Sequence, residues 1–298
     1  MLSPELIRRI RRIEIKTRHL VADSFAGEYH AIFKGRGMAF DEVRPYQPGD
    51  EVRSIDWNVT ARVGEPYVKR YVEERELTVM LLVDSSASLT TGSRGRAKRE
   101  LAAELAAVLA FSATTNNDRV GLIQFAGEVV RVVPPRKGRR HVLRLVRELL
   151  AGPPGTGGSE PGAAMETLSH VLKRRGIVFL LSDFAGPSHP ERYRRALRQA
   201  SRRHDLIAVE LREPNEGELP PVGILWLQDA ETGQRRALDT GNPAIRRALV
   251  ERSQAARASA RRAFIDAGVD HVVVETLGDY SPALGAFFAR RAGRGRRR

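Results

Sequence analysis

The stretch Leu77–Leu89, LTVMLLVDSSASL, constrains this chain more than any other. Leu77 to Val83 is a continuous apolar run interrupted only by Thr78. Such a run, bounded by polar residues, suits a strand buried on both faces of a parallel sheet. At its carboxyl end the apolar character stops at Asp84-Ser85-Ser86-Ala87-Ser88. Asp84, Ser86 and Ser88 alternate, so an extended or turning loop aims their three oxygens to one side. One carboxylate and two hydroxyls form a hard, oxygen-only donor set that suits Mg²⁺ or Mn²⁺. In open α/β sheets, ligands gather just beyond the carboxyl ends of the strands. The competing reading is an ordinary strand-to-helix turn with serine caps.

The 298 residues are 42% hydrophobic and 29% charged, a globular composition large enough for one big domain with an appendage. No apolar run approaches the roughly 18 residues that cross a bilayer, and no segment reads as a signal peptide. The absence of cysteine excludes disulfides, thiolate metal sites and a cysteine nucleophile. The cytoplasm is the expected location. A net charge of +14 raises nucleic acid and anionic membranes as partners. The basic residues are, however, scattered over helix faces and not interleaved with aromatics. They are read as solvated faces and as a match for acidic partner surfaces rather than for nucleic acid. The tail from 292 to 298, AGRGRRR, lacks packing residues and is expected to be disordered.

Ser3-Pro4-Glu5 opens an amphipathic helix with Leu6, Ile10, Ile13 and Leu20 on one side. His30 has no second histidine at ligand spacing, so it reads as structural. Met38–Arg75 reads as a β-rich segment with a Pro48-Gly49 turn and a strand at Tyr67–Val72. Within it, Asp50, Arg53, Asp56 and Arg62 are expected to form an ion network.

Downstream, helices are expected over residues 96–113, 140–150, 160–175, 191–203, 243–267 and 282–290. Buried strands are expected at 119–125, 176–181, 206–211 and 271–275, with an antiparallel edge strand at 129–133 and a hairpin at 224–238. The alternation predicts an α/β class with a doubly wound, mostly parallel sheet. Residues 1–75 form the expected appendage, and 76–291 the main domain.

The Asp84-x-Ser86-x-Ser88 loop resembles the first segment of the metal-ion-dependent adhesion site (MIDAS) of von Willebrand factor A domains. Ahead of it stand Tyr46-x-x-Gly49-Asp50-x-x-Arg53-x-Ile55-Asp56-Trp57, then Ala61-Arg62, Val68-Lys69 and Glu73-Glu74. The combination resembles a widespread bacterial family with a von Willebrand factor A-like, Rossmann-type domain behind this preamble, commonly encoded beside MoxR-type AAA+ ATPases. The resemblance covers roughly Gly27 to Leu211. It implies two further metal-site positions: Ser159 after the glycine-rich loop Gly152–Gly158, where the family usually has threonine, and Asp183 at the end of the strand Gly176–Leu181. Asp84, Ser86, Ser88, Ser159 and Asp183 thus form the candidate metal site. Ser159 also suits the N-terminus of the helix that follows.

Histidines 141, 170, 189 and 204 fall on predicted helices or their ends, away from these five oxygens. No phosphate loop of the GxxxxGK[ST] type is present. A site with two carboxylates and neutral hydroxyls leaves a coordination position that attracts an external carboxylate. The resemblance therefore implies a non-enzymatic, Mg²⁺- or Mn²⁺-dependent protein-interaction module. It would work with a MoxR-type AAA+ ATPase and take an acidic side chain from a protein ligand. The alternatives are a metal-dependent phosphoester hydrolase and nucleic-acid binding through the arginine faces.

Overall fold

A computed structural model describes residues 4–21, 29, 39–72, 76–90, 97–153, 155–214, 216, 218–229 and 233–295. Its elements, in chain order, are α1 (Pro4–Leu20), β1 (Ala39–Pro45), α2 (Trp57–Val63), β2 (Tyr67–Val72) and β3 (Thr78–Asp84). There follow α3 (Lys98–Thr115), β4 (Arg119–Phe125), β5 (Val129–Arg136), α4 (Arg139–Ala151), α5 (Pro161–Val171) and β6 (Ile177–Ser182). The chain ends with α6 (Pro190–Arg203), β7 (Asp205–Arg212), β8 (Ile224–Gln228), β9 (Arg235–Asp239), α7 (Pro243–Ala267), β10 (Asp270–Glu275) and α8 (Ser281–Gly295). The contacts divide it into two compact units, Phe33–Leu77 and the remainder.

The larger unit is built on a six-stranded sheet of order β10-β7-β6-β3-β4-β5. Every pairing is parallel except β4 with β5, whose antiparallel register makes β5 the edge strand expected. The α/β class and the mostly parallel sheet are as the alternation predicts. The central strands are continuous apolar runs because both faces are covered. Met80, Leu82, Ile123, Phe125, Val178 and Leu180 pack with residues of α5, α6 and α7 in one buried cluster. Leu101, Leu105, Val108 and Leu109, the stripe expected on α3, are all buried, and α3 packs on β3, β4 and β7. With β3 central, its carboxyl end lies where loops after several strands converge.

Four expectations are corrected. The first helix does not belong to the appendage. α1 packs on α3 and α4, burying Ile13 and Thr17, and pairs Arg9 with Glu100 at 2.7 Å and Lys16 with Glu104 at 2.9 Å. The helix expected to reach residue 175 ends at Val171, because Leu172 turns to an extended backbone and buries its side chain in the core cluster. The final helix continues through Gly295, past the expected boundary at 292, although Gly293 and Gly295 are poor helix formers. The ion network of the preamble has different partners, described next. The expectations for His30, the Ala230–Thr232 turn and residues 296–298 fall outside the described residues.

In the smaller unit, β1 and β2 form an antiparallel ribbon. Arg44 grips Asp50 through both guanidinium nitrogens, at 2.8 and 2.7 Å. Asp56 caps α2 by accepting from the backbone N–H groups of Asn58 and Val59, and pairs with Lys69 at 3.1 Å. Arg53 and Arg62, the expected cationic partners, are exposed. Each carboxylate, itself outside the strands, is paired with a cation on a ribbon strand, Arg44 of β1 or Lys69 of β2. Both carboxyls are held below their ordinary range, Asp50 chiefly by Arg44 and Asp56 chiefly by Lys69.

Candidate metal centre

Three segments meet beyond the carboxyl ends of β3 and β6. The first is the loop after β3. Asp84, 1% exposed, closes the strand. Its Oδ1 accepts from the Ser86 backbone N–H at 2.9 Å, a tight turn that brings Ser86 Oγ to 3.1 Å from Ser88 Oγ. The neighbouring Ser85 faces the other way, donating its hydroxyl to the Phe125 carbonyl at 2.9 Å. Ser88 lies in the short 3₁₀ turn Ala87–Thr90, which turns its hydroxyl back to Ser86.

The second segment is the glycine-rich loop. It crosses so close to the β3 and β4 ends that side chains are excluded. A Cβ on Gly155 would stand 2.3 Å from the Ala126 Cβ, and one on Gly127 would stand 2.5 Å from the Gly157 carbonyl oxygen. Gly155 N–H donates to the Ser85 carbonyl at 2.8 Å, tying the loop to the first segment. The loop delivers Ser159, whose hydroxyl donates to Asp84 Oδ2 at 2.6 Å.

The third segment follows β6. Ser182 Oγ donates to the same Asp84 oxygen at 2.6 Å. Asp183 stands next, followed by Phe184 with φ +49°, a left-handed conformation rare for an aromatic residue. That strain, about 1 kcal/mol, is offset by burial of the Phe184 ring edge-on against Phe264 at 5.0 Å. The turn allows Ala185 N–H to reach Asp183 Oδ1 at 3.2 Å.

Asp84, Ser86, Ser88 and Ser159 are thus joined in one hydrogen-bonded cluster. Asp183 is near enough for its charge to act on Asp84. Burial first, and the Asp183 charge second, push the Asp84 carboxyl up to about 6; hydrogen bonds from Ser159, Ser182 and Ser86 restrain the rise. Among the described residues, no group of three or more histidine, cysteine, aspartate or glutamate side chains is placed to hold a metal. The candidate centre has two carboxylates, and its other donors are hydroxyls.

Several participants were not expected. Ser182 is one. Lys98, in the first turn of α3, is 3% exposed and sets its Nζ 3.0 Å from Asp183 Oδ2, with a second bond to Glu216. Burial opposes the Lys98 charge, but Asp183 and Glu216 outweigh it and hold the ammonium above the ordinary lysine value. Its sequence signal is a lysine in the first turn of an alanine- and leucine-rich helix. A cation there opposes the helix dipole and needs a counter-charge. Glu160, 1% exposed, accepts from His189 Nδ1–H at 2.7 Å, while its Oε1 has no partner. His189 is thus closer to the centre than its place at a helix end implies. Ser188 N–H also reaches the Ser159 carbonyl at 3.2 Å. His141 and His204 are buried elsewhere, His141 on the Val120 carbonyl.

The model of a family described as "Protein of unknown function DUF58" matches residues 42–259, most of the chain and all of this centre. The chain belongs to the DUF58 family. Uncharacterised proteins of Mycobacterium tuberculosis and Mycobacterium bovis are 34% identical over 292 residues, covering 97% of this chain and 90% of theirs. Among solved structures, the chain is similar to the conserved hypothetical protein BatB of Bacteroides thetaiotaomicron (15% identity, TM-score 0.45, 73% of this chain, 99% of that one). It is also similar to the VWA domain of SpRpn10 (14% identity, TM-score 0.42, 72% and 95%). Among the described residues of this DUF58 protein, no helix is long and apolar enough to cross a membrane.

Proposed function

We propose that this protein is a metal-dependent protein-interaction module. In this reading Asp84, Ser86, Ser88, Ser159 and Asp183 hold Mg²⁺ or Mn²⁺, an acidic side chain of a protein ligand completes the coordination, and a MoxR-type AAA+ ATPase is the working partner. One observation carries the metal reading: Asp84 is fully buried, its carboxyl destabilised by burial and by Asp183, with only hydroxyl and amide donors bonded to it. A hard cation would relieve that charge, and its preferred donors are the oxygens gathered here. The residues present therefore fit the ion. When bound, it supplies a fixed positive charge for a partner's carboxylate.

In this role Asp84 provides the charge, the hydroxyls of Ser86, Ser88 and Ser159 orient it, and the glycine loop keeps bulk away from the opening. The ATPase follows from the motif resemblance. A capture experiment tests it: the purified chain is immobilised and offered a purified MoxR-type ATPase in Mg²⁺ or in EDTA. Retention in Mg²⁺, lost in EDTA and in Asp84→Ala, is expected. Retention indifferent to metal and mutation, or none at all, contradicts the reading.

A second reading, metal-dependent phosphoester hydrolysis, has one observation in its favour. His189 is 70% exposed and is oriented through Nδ1 by the buried Glu160, next in sequence to Ser159. That is how a general base is held. Turnover of p-nitrophenyl phosphate that requires Mg²⁺ and is lost in His189→Ala would favour it; no turnover across a phosphoester panel dismisses it.

A further inference from the structure

A divalent site of oxygen donors has no need of a buried ammonium on one of its two carboxylates, yet Lys98 is there. Its Nζ lies 3.0 Å from Asp183 Oδ2 and is bonded also to Glu216. Arg257 of α7 takes the other Glu216 oxygen at 3.1 Å. Lys98 is held from two sides, on a helix end that disfavours cations. Such an arrangement persists because the carboxylates compensate it, and removing either side leaves a buried charge unpaired.

We propose that Lys98 is a resident counter-ion of the metal centre. It lowers the centre's own affinity for a divalent cation and so makes occupancy depend on the carboxylate that a partner brings. The inference rests on the metal reading above and adds which residue sets the affinity.

Glu216 and Arg257 cancel, so Asp84, Asp183 and Lys98 leave the cluster with one net negative charge. A dication turns this to one positive charge in a buried site, and a single carboxylate from a partner returns it to zero. Without Lys98, the metal alone would neutralise the two aspartates. The lysine also competes for Asp183 directly, because it shares that carboxylate with any bound ion.

The test is titration of the metal-free full chain with Mn²⁺, followed by electron paramagnetic resonance. Lys98→Met is expected to bind Mn²⁺ roughly tenfold tighter or more than wild type, since a unit charge beside a dication is costly in a partly desolvated site. The rise in thermal midpoint on adding Mn²⁺ should also be larger in this variant. Lys98→Arg keeps the charge and should retain wild-type affinity. Should Lys98→Met alone fail to fold, Lys98→Met with Glu216→Gln and Arg257→Gln, which removes the cancelling pair together, carries the same expectation, with circular dichroism reporting the fold. Unchanged or weaker binding in folded Lys98→Met, alongside measurable wild-type binding, overturns the role of Lys98 and leaves the metal reading standing. No Mn²⁺ binding by any variant overturns both.

Discussion

Replacing Asp84 by Asn in the metal-free protein should stabilise it at neutral pH, the reverse of what loss of a buried hydrogen-bonded side chain ordinarily does. The Asp84 carboxyl rises from 3.8 to about 6 in the folded state. The folded chain therefore binds this proton more tightly than the unfolded chain. Between pH 4 and pH 6 the folded state carries more protons, so wild-type stability falls as pH rises through that window. A rise of about two pH units, at ~1.4 kcal/mol each, corresponds to about 3 kcal/mol lost by pH 7. Asn keeps the shape, and the Ser159 and Ser182 hydroxyls can turn to accept from its amide. The expected difference between Asp84→Asn and wild type thus grows by about 2–3 kcal/mol in favour of the variant from pH 4 to pH 7. Urea unfolding in EDTA at several pH values measures it. Far-UV circular dichroism is the suitable probe, because Trp57 and Trp226 are 66% and 72% exposed and report poorly on the core. Mg²⁺ at pH 7 should then stabilise wild type and leave Asp84→Asn unmoved. A difference that stays flat with pH, or a variant less stable than wild type at pH 7 in EDTA, refutes the reasoning.

Other perturbations have equally definite outcomes. Gly127→Ala places a methyl 2.5 Å from the Gly157 carbonyl oxygen, backbone against backbone; a loss of ~1–3 kcal/mol in urea unfolding is expected, together with loss of Mn²⁺ binding as the glycine loop moves away from Asp84. Glu210 is buried, which raises its carboxyl, but His271 and Arg212 overcome this and bring it down to about 2. Its contribution is complete above the ordinary value of 4.5 and disappears as pH falls towards 2. Glu210→Gln should therefore cost ~1–2 kcal/mol at pH 7 and converge with wild type near pH 2, as followed by acid unfolding.

The main sheet was legible in the sequence because strands covered on both faces must be apolar throughout. β3, β4, β6 and β7 stand where those runs stand. Asp84, Ser86 and Ser88 were legible as a cluster of oxygens, but the backbone that gathers the two serines is the 3₁₀ turn Ala87–Thr90 rather than an alternating extended loop. What escaped were pairings that only the fold creates. Lys98 follows a run of basic residues that reads as a solvated face, and its partners Asp183 and Glu216 lie 85 and 118 residues away. α1 reads as part of the segment it precedes, while its salt-bridge partners Glu100 and Glu104 lie far down the chain. In the preamble, Asp50 and Asp56 sit near Arg53 and Arg62 in sequence. The bridge of Ile55 to Val68 instead brings Asp56 beside Lys69, and the turn folds Asp50 back on Arg44. Ion pairs depend on distance in space, and charge spacing along a chain describes that distance only within a helix or between registered strands.

Direct binding of a divalent ion tests the account most simply. Mn²⁺ is titrated into wild type and Asp84→Ala at neutral pH and followed by electron paramagnetic resonance, with Mg²⁺ as competitor. The account predicts one weakly held Mn²⁺ per wild-type chain, displaced by Mg²⁺ and absent in Asp84→Ala. Wild type without a bound ion, or an Asp84→Ala variant that binds as wild type does, would contradict it.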